Sequence, residues 1–122
     1  MQTVLDEYFT LTDRASYDQQ ALPQIIELFA EEAEVQPAGG ERAKGKQAIA
    51  KLLERFYQSY STVQRVWKTR TTEHGIEAVW AAAGKYRNGE VFAAHGRHIA
   101  QINQAGKIAS LEVELLTSDR PQ

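Results

Sequence analysis

The sequence predicts an α+β domain in which three helices pack on one face of an antiparallel sheet, and three observations carry that prediction. Apolar residues recur at three- and four-residue steps through much of the first half of the chain. Two strand-like runs flank Asn88-Gly89 within residues 75–103, the dipeptide that favours a two-residue hairpin turn. β-branched and aromatic residues dominate from Thr62 onward, so most strands follow the helices.

Val4, Leu5, Tyr8, Phe9 and Leu11 form one apolar stripe, which predicts a helix over the first dozen residues with Tyr8 facing inward. Ser16 or Asp18 can cap a second helix that Pro23 enters in its first turn, and Leu22, Ile25, Ile26 and Phe29 share a face. Glu31, Glu32 and Glu34 oppose the macrodipole at its end, so it is expected to stop near Ala30. Val35 begins a brief edge strand, because Pro37 cannot donate to a ladder and Gly39-Gly40 marks a turn. Ile49, Leu52, Leu53, Phe56, Tyr57 and Tyr60 give the clearest helical period, over residues 46–60. A strand follows from Thr62 to the His74-Gly75 turn, then the hairpin. In the last strand Leu111, Val113 and Leu115 alternate with Glu112 and Glu114, and the final six residues read as a frayed end.

A two-residue turn at Asn88-Gly89 pairs Lys85 with Phe92 and Val79 with His98. The expected inner face then carries Ala81, Ala83, Lys85, Phe92, Gly96 and His98. With Phe56, Leu111, Val113 and Leu115 these are the candidate pocket lining. The opposite face carries Trp80, Tyr86, His95, Arg97 and Ile99, a candidate homodimer interface. A bulge between Ala78 and Arg97 would reverse part of this assignment.

The chain has 122 residues, enough for one domain with one core, and its composition of 43% apolar and 25% charged residues is that of a soluble globule. Fourteen basic residues are interspersed with sixteen acidic ones and form no tract, so neither nucleic acid nor a membrane surface is an expected partner. Cysteine is absent, which excludes thiol chemistry and thiolate metal sites. No apolar run is long enough to span a bilayer and no signal-peptide pattern opens the chain, so the expected location is cytoplasmic. His95 and His98, three apart on a strand, point to opposite faces and cannot share an ion, and no metal or cofactor is expected. The segment from Gly40 to Gln47 meets the Gly-x4-Gly-Lys spacing of a phosphate loop. Gln47 replaces the hydroxyl that would hold magnesium, and no parallel βαβ unit surrounds it.

Leu28-Phe29-Ala30-Glu31-Glu32-Ala33-Glu34-Val35, Gly45-Lys46-Gln47-Ala48-Ile49 and the spacing from Asn88-Gly89 to Gly106-Lys107-Ile108 resemble the NTF2-like superfamily, in its SnoaL-like and ketosteroid-isomerase-like branch. The resemblance covers nearly the whole chain and implies a cone-shaped, cystatin-like fold. It implies that Tyr8 is the tyrosine that donates to a substrate oxyanion, and that His98 stands where relatives carry an acidic donor or acid–base aspartate. The general-base aspartate of the isomerases falls at about Pro37, which cannot accept a proton, so that mechanism does not carry over.

Two functional readings remain. In the first, the cone is a pocket for a small apolar carbonyl compound, with Tyr8 as oxyanion donor and His98 as acid–base group of an isomerase, cyclase or hydrolase. In the second, the protein is a non-catalytic ligand-binding or dimeric interaction module, and His98 is a core histidine bonded to a carbonyl or to Tyr8. The sequence leaves enzyme status open, since function varies widely on one fold.

Overall fold

The first helix, α1 (Val4–Ala15), is fixed at its start by a capping box. Thr3 Oγ1 accepts from the Asp6 backbone N–H at 3.2 Å, while Asp6 Oδ2 accepts from the Thr3 N–H at 2.8 Å. Asp6 also accepts from Trp67 Nε1 at 2.9 Å and from Thr69 Oγ1, which ties the helix to the sheet. Burial pushes the Asp6 carboxyl up, but the donors of Thr3, Trp67 and Thr69 outweigh it and hold its pKa below the usual value. These details come from a computed structural model, which describes residues 2–119, with side chains given through residue 116.

The second helix, α2 (Ala21–Ile26), is shorter than expected, and β1 (Phe29–Gln36) takes the residues assigned to its end. Strand β1 is also longer than predicted and lies inside the sheet. It pairs antiparallel with β2 (Ala43–Lys44) and parallel with β6 (Ile108–Asp119). Phe29, Ala30, Ala33 and Val35 are buried while Glu31 and Glu32 are exposed, so the carboxylates sit on the solvent side of a strand. The sheet is therefore mixed at one end. The third helix, α3 (Lys46–Gln58), follows Gly45, whose φ of 85° is one that an L side chain rarely adopts.

Strands β3 (Tyr60–Thr72), β4 (Gly75–Tyr86) and β5 (Val91–Ile102) complete a six-stranded sheet in the order β2-β1-β6-β5-β4-β3. Strand β6 runs to Asp119, into the stretch expected to fray, and the rest of that stretch lies outside the described residues. Leu5, Phe9, Ile25, Phe29, Ile49, Ile108 and Leu111 form the fully buried core between the helices and one sheet face.

The hairpin register differs from the expected one by one residue. Lys85 pairs with Val91, Gly84 with Phe92, Trp80 with Gly96 and Ala78 with His98. The Tyr86 N–H donates to Glu90 O, which makes a three-residue loop in which Gly89 alone has a positive φ, 97°. Contacts with the end of α3 accompany this loop. Arg87 gives its backbone N–H to Ser59 O and its Nε to Gln58 O at the helix end, so it leaves the ladder and joins the loop. Every residue of β4 is thereby reversed relative to the expectation, while β5 faces as expected. Ala81, Ala83 and Lys85 are exposed on the outer face, and Trp80 and Tyr86 turn inward.

Two glycines make this register possible. A Cβ at Gly96 would meet the Trp80 ring at 2.7 Å and clash with Glu114 O, and one at Gly84 would meet the Phe92 ring at 2.8 Å. Each glycine thus lies under the aromatic ring directly opposite it. Gly96→Ala is expected to destabilise the fold by about 1–3 kcal/mol through overpacking, read as a lower urea midpoint and a changed near-ultraviolet circular dichroism of Trp80.

Candidate functional site

Period-two alternation places Val63, Arg65, Trp67 and Thr69 of β3 on the inner sheet face. Beside them lie Ala78, Trp80 and Ala82 of β4, and Ala94, Gly96 and His98 of β5. Leu111, Val113 and Leu115 of β6 complete the row, since they pair with Ala100, His98 and Gly96. From the helix side Tyr8 and Phe9 meet this face, with Thr12 one turn farther along α1.

His98 is 3% exposed, and three rings close around it. Their centroids lie 4.9 Å (Phe9), 5.7 Å (Tyr8) and 5.8 Å (Trp80) from the imidazole. Burial, reinforced by the Arg65 charge, lowers the His98 pKa from 6.5 to about 3, so the ring is neutral at physiological pH. Burial pushes the Tyr8 phenol well above its ordinary value, with the nearby Tyr57 adding to the rise, and Tyr8 keeps its proton.

Arg65 joins this centre to its surroundings. Its Cζ lies 5.3 Å from the Trp80 ring centroid, 5.9 Å from that of Phe9 and 6.0 Å from that of Phe56. Its Nη1 donates to Thr12 Oγ1 at 3.3 Å, and its backbone N–H donates to Asp13 Oδ2 at 3.1 Å. Tyr57 shares hydrogen bonds with Thr12 and Arg65. Burial raises the pKa of Asp13 against the opposing pull of the Arg65 backbone and charge.

Among the described residues, the buried side-chain atoms without a hydrogen-bond partner are Asp13 Oδ1, Arg65 Nε, Trp80 Nε1 and His98 Nδ1. All four belong to this one cluster. A buried orphan donor or acceptor costs about 1–3 kcal/mol, and such groups concentrate where a ligand or water is to be met. Chemically, the cluster offers neutral and cationic donors to an oxygen, and a neutral imidazole that can accept.

Farther along the sheet, Phe56, Tyr60, Tyr86 and Phe92 form a half-buried aromatic group with centroid separations of 4.6 to 5.2 Å. Burial and the neighbouring Tyr86 push the Tyr60 phenol up to about 12. Leu115 belongs to the inner face yet is 50% exposed, so that face is partly uncovered beside Gly96.

The structure thus brings Tyr8 and His98 together, with Phe56, Phe92, Gly96, Leu111, Val113 and Leu115 on the same side of the sheet. Ala81, Ala83 and Lys85 do not join them, because the three-residue loop turns them outward. For the same reason Trp80 and Tyr86 leave the face proposed as an interface, where His95, Arg97 and Ile99 stay. There Arg97 pairs with Glu114 at 2.6 Å and with Glu77 at 3.3 Å. The sequence patterns assign no site role to Arg65, Asp13, Thr12 or Tyr57. Arg65 was legible in principle, being in phase with Val63 and Trp67 on one strand. Two clefts open elsewhere: one of about 620 Å³ between the three helices, lined in part by Leu22, Leu53 and Tyr57, and one of about 740 Å³ near Thr3 and Lys107. Neither is lined by Tyr8 or His98, but Tyr57 links the first to Arg65.

No family model and no curated protein matches the chain. Solved structures do. An NTF2-like protein of unknown function from Exiguobacterium sp. 255-15 is 29% identical and superposes with a TM-score of 0.84, over 93% of this chain and 98% of that one. The epoxide hydrolase/cyclase-like enzyme SalBIII, of salinomycin pyran-ring formation, is 18% identical with a TM-score of 0.77, over 92% and 87% of the two chains. A Mycobacterium tuberculosis protein in complex with estradiol-17β-hemisuccinate is 15% identical with a TM-score of 0.73, over 92% and 93%. The two more distant likenesses speak to the fold alone. The helix order, the six-stranded sheet and the superposition on the 29% identical protein show that the chain has the NTF2-like fold.

Proposed function

We propose that this protein binds a small apolar carbonyl compound on the inner face of its sheet, with the ligand oxygen directed at the cluster of Tyr8, Arg65, Trp80 and His98. The observation that carries the reading is that the unpartnered buried polar atoms belong to four residues in successive contact, Asp13 with Arg65, Arg65 with Trp80 and Trp80 with His98. In a packed interior such groups are left unsatisfied only against a cost, which a ligand oxygen would offset for the two donors, Arg65 Nε and Trp80 Nε1. Support comes from fold neighbours that include an epoxide hydrolase/cyclase-like enzyme and a protein holding a steroid ester.

If the ligand is turned over, Tyr8 is the oxyanion donor and His98 the acid–base group of an isomerase-, cyclase- or hydrolase-type step. A phenol held protonated suits the first role. A histidine whose pKa lies near 3 is a weak base, which makes oxygen binding the stronger part of the proposal and general-base catalysis the weaker.

A second reading, docking of a second copy on the outer sheet face, is favoured by one observation. Val66, Val79 and Val91 are 72%, 51% and 54% exposed there. It is compatible with an inner-face pocket.

Three outcomes are expected. Tyr8→Phe and His98→Gln each weaken binding of 2-acetylnaphthalene by about tenfold or more in calorimetry, the loss of one buried hydrogen bond, while circular dichroism is unchanged. Because the folded pKa of His98 lies below the unfolded value of 6.5, the unfolded chain binds the extra proton. Stability contributed by neutral His98 is therefore present above pH 6.5 and lost as pH falls toward about 3, and His98→Gln removes that part of the acid dependence in urea titrations. For the second reading, Val79→Glu converts a dimer into a monomer in sedimentation, and a chain that is already monomeric at high concentration counts against it.

A further inference from the structure

We infer that the ligand of this pocket carries a carboxylate, held by Arg65 and Trp80, with a flat ring system seated among the surrounding aromatics. The inference rests on the pocket reading above and adds a charge to it. Arg65 lies on the inner face of β3, directly opposite Ala82, with the Trp80 ring of the same paired strand against its guanidinium. Its guanidinium forms no ion pair among the described residues. Its polar neighbours are the hydroxyl oxygen of Thr12, at 3.3 Å from Nη1, and Tyr57, both uncharged. Asp13 brings the nearest carboxyl on α1, but Oδ2 accepts from the Arg65 backbone N–H and Oδ1 has no partner.

Arginine binds carboxylates through paired donors on one side of its planar fork, and Nε is one corner of that fork. Here Nε is buried and unpartnered. A second buried donor without a partner, Trp80 Nε1, belongs to the indole over which the guanidinium lies, Cζ to centroid 5.3 Å. Two buried, unpartnered N–H donors on neighbouring side chains, and a guanidinium without an ion pair among the described residues, suit a carboxylate better than a neutral carbonyl. Phe9 and Phe56, each near 6 Å from the Arg65 Cζ, and the Tyr60–Tyr86–Phe92 group beyond them favour an aromatic body for the acid.

The test compares 2-naphthoate with 2-acetylnaphthalene, a neutral carbonyl compound of nearly the same shape, by calorimetry on the full chain. The expected result is that the acid binds about tenfold or more tightly than the ketone, and that Arg65→Met abolishes the difference. In the unsubstituted protein the Arg65 Nε–H resonance should move on adding the acid and stay in place on adding the ketone, a readout that holds even if Arg65→Met does not fold. Equal affinity for the two compounds, or a preference for the acid that survives Arg65→Met, overturns the carboxylate inference and leaves the pocket reading intact. Failure of both compounds to bind overturns both.

Discussion

Two hydrogen bonds from Arg87 to the carbonyl oxygens of Gln58 and Ser59 set the terms for the rest of this structure. They satisfy acceptors at the end of α3 and, in doing so, draw one residue out of the β4–β5 ladder. A strand alternates faces at every residue, so a loop of three instead of two exchanges the inner and outer sides of β4 against a fixed β5. Trp80 is brought over Gly96 and against His98, and Lys85 is turned to solvent. The polar cluster at the heart of the sheet exists only in this register, because Trp80 closes one side of it and stacks beneath Arg65.

That cluster is costly in folding terms. A histidine almost without solvent contact is held neutral, a phenol is held protonated, and an arginine is packed among rings with one donor unmet. None of these arrangements is what a core built for stability alone would choose, since apolar side chains of similar volume would avoid the desolvation. Leu5, Ile25, Phe29 and Ile108 make the fully buried apolar part of the core, and Tyr8 packs edge-on against Phe29 at its border with the polar cluster. A polar cluster set into one end of a contiguous apolar core, beside an aromatic, partly uncovered face, is the arrangement expected of a binding site on a rigid scaffold.

Much of this was legible in the sequence. The periods of α1 and α3 and the alternation of β6 carried their elements, and the Tyr8 and His98 rings lie 5.7 Å apart, centroid to centroid. What was not legible has identifiable physical causes. The end of α2 was misread because Leu22, Ile25, Ile26 and Phe29 keep a helical period across a boundary that burial on β1 decides. The hairpin face differs from the expected one because Asn88-Gly89 favours a two-residue turn locally, and the bond from Arg87 to Gln58, 29 residues earlier in the chain, has no local signature. Arg65 was passed over because a charged residue in a strand of alternating character reads as solvent-facing, whereas its stem and planar head can be buried among rings.

The register of the β4–β5 hairpin is the claim on which the site depends, and interstrand nuclear Overhauser contacts test it most directly. The account predicts contacts of Ala78 with His98 and of Trp80 with Gly96, together with contacts between the Trp80 indole and the His98 ring. Backbone contacts of Val79 with His98 and of Ala81 with Gly96, with the Trp80 indole far from the imidazole, would contradict it.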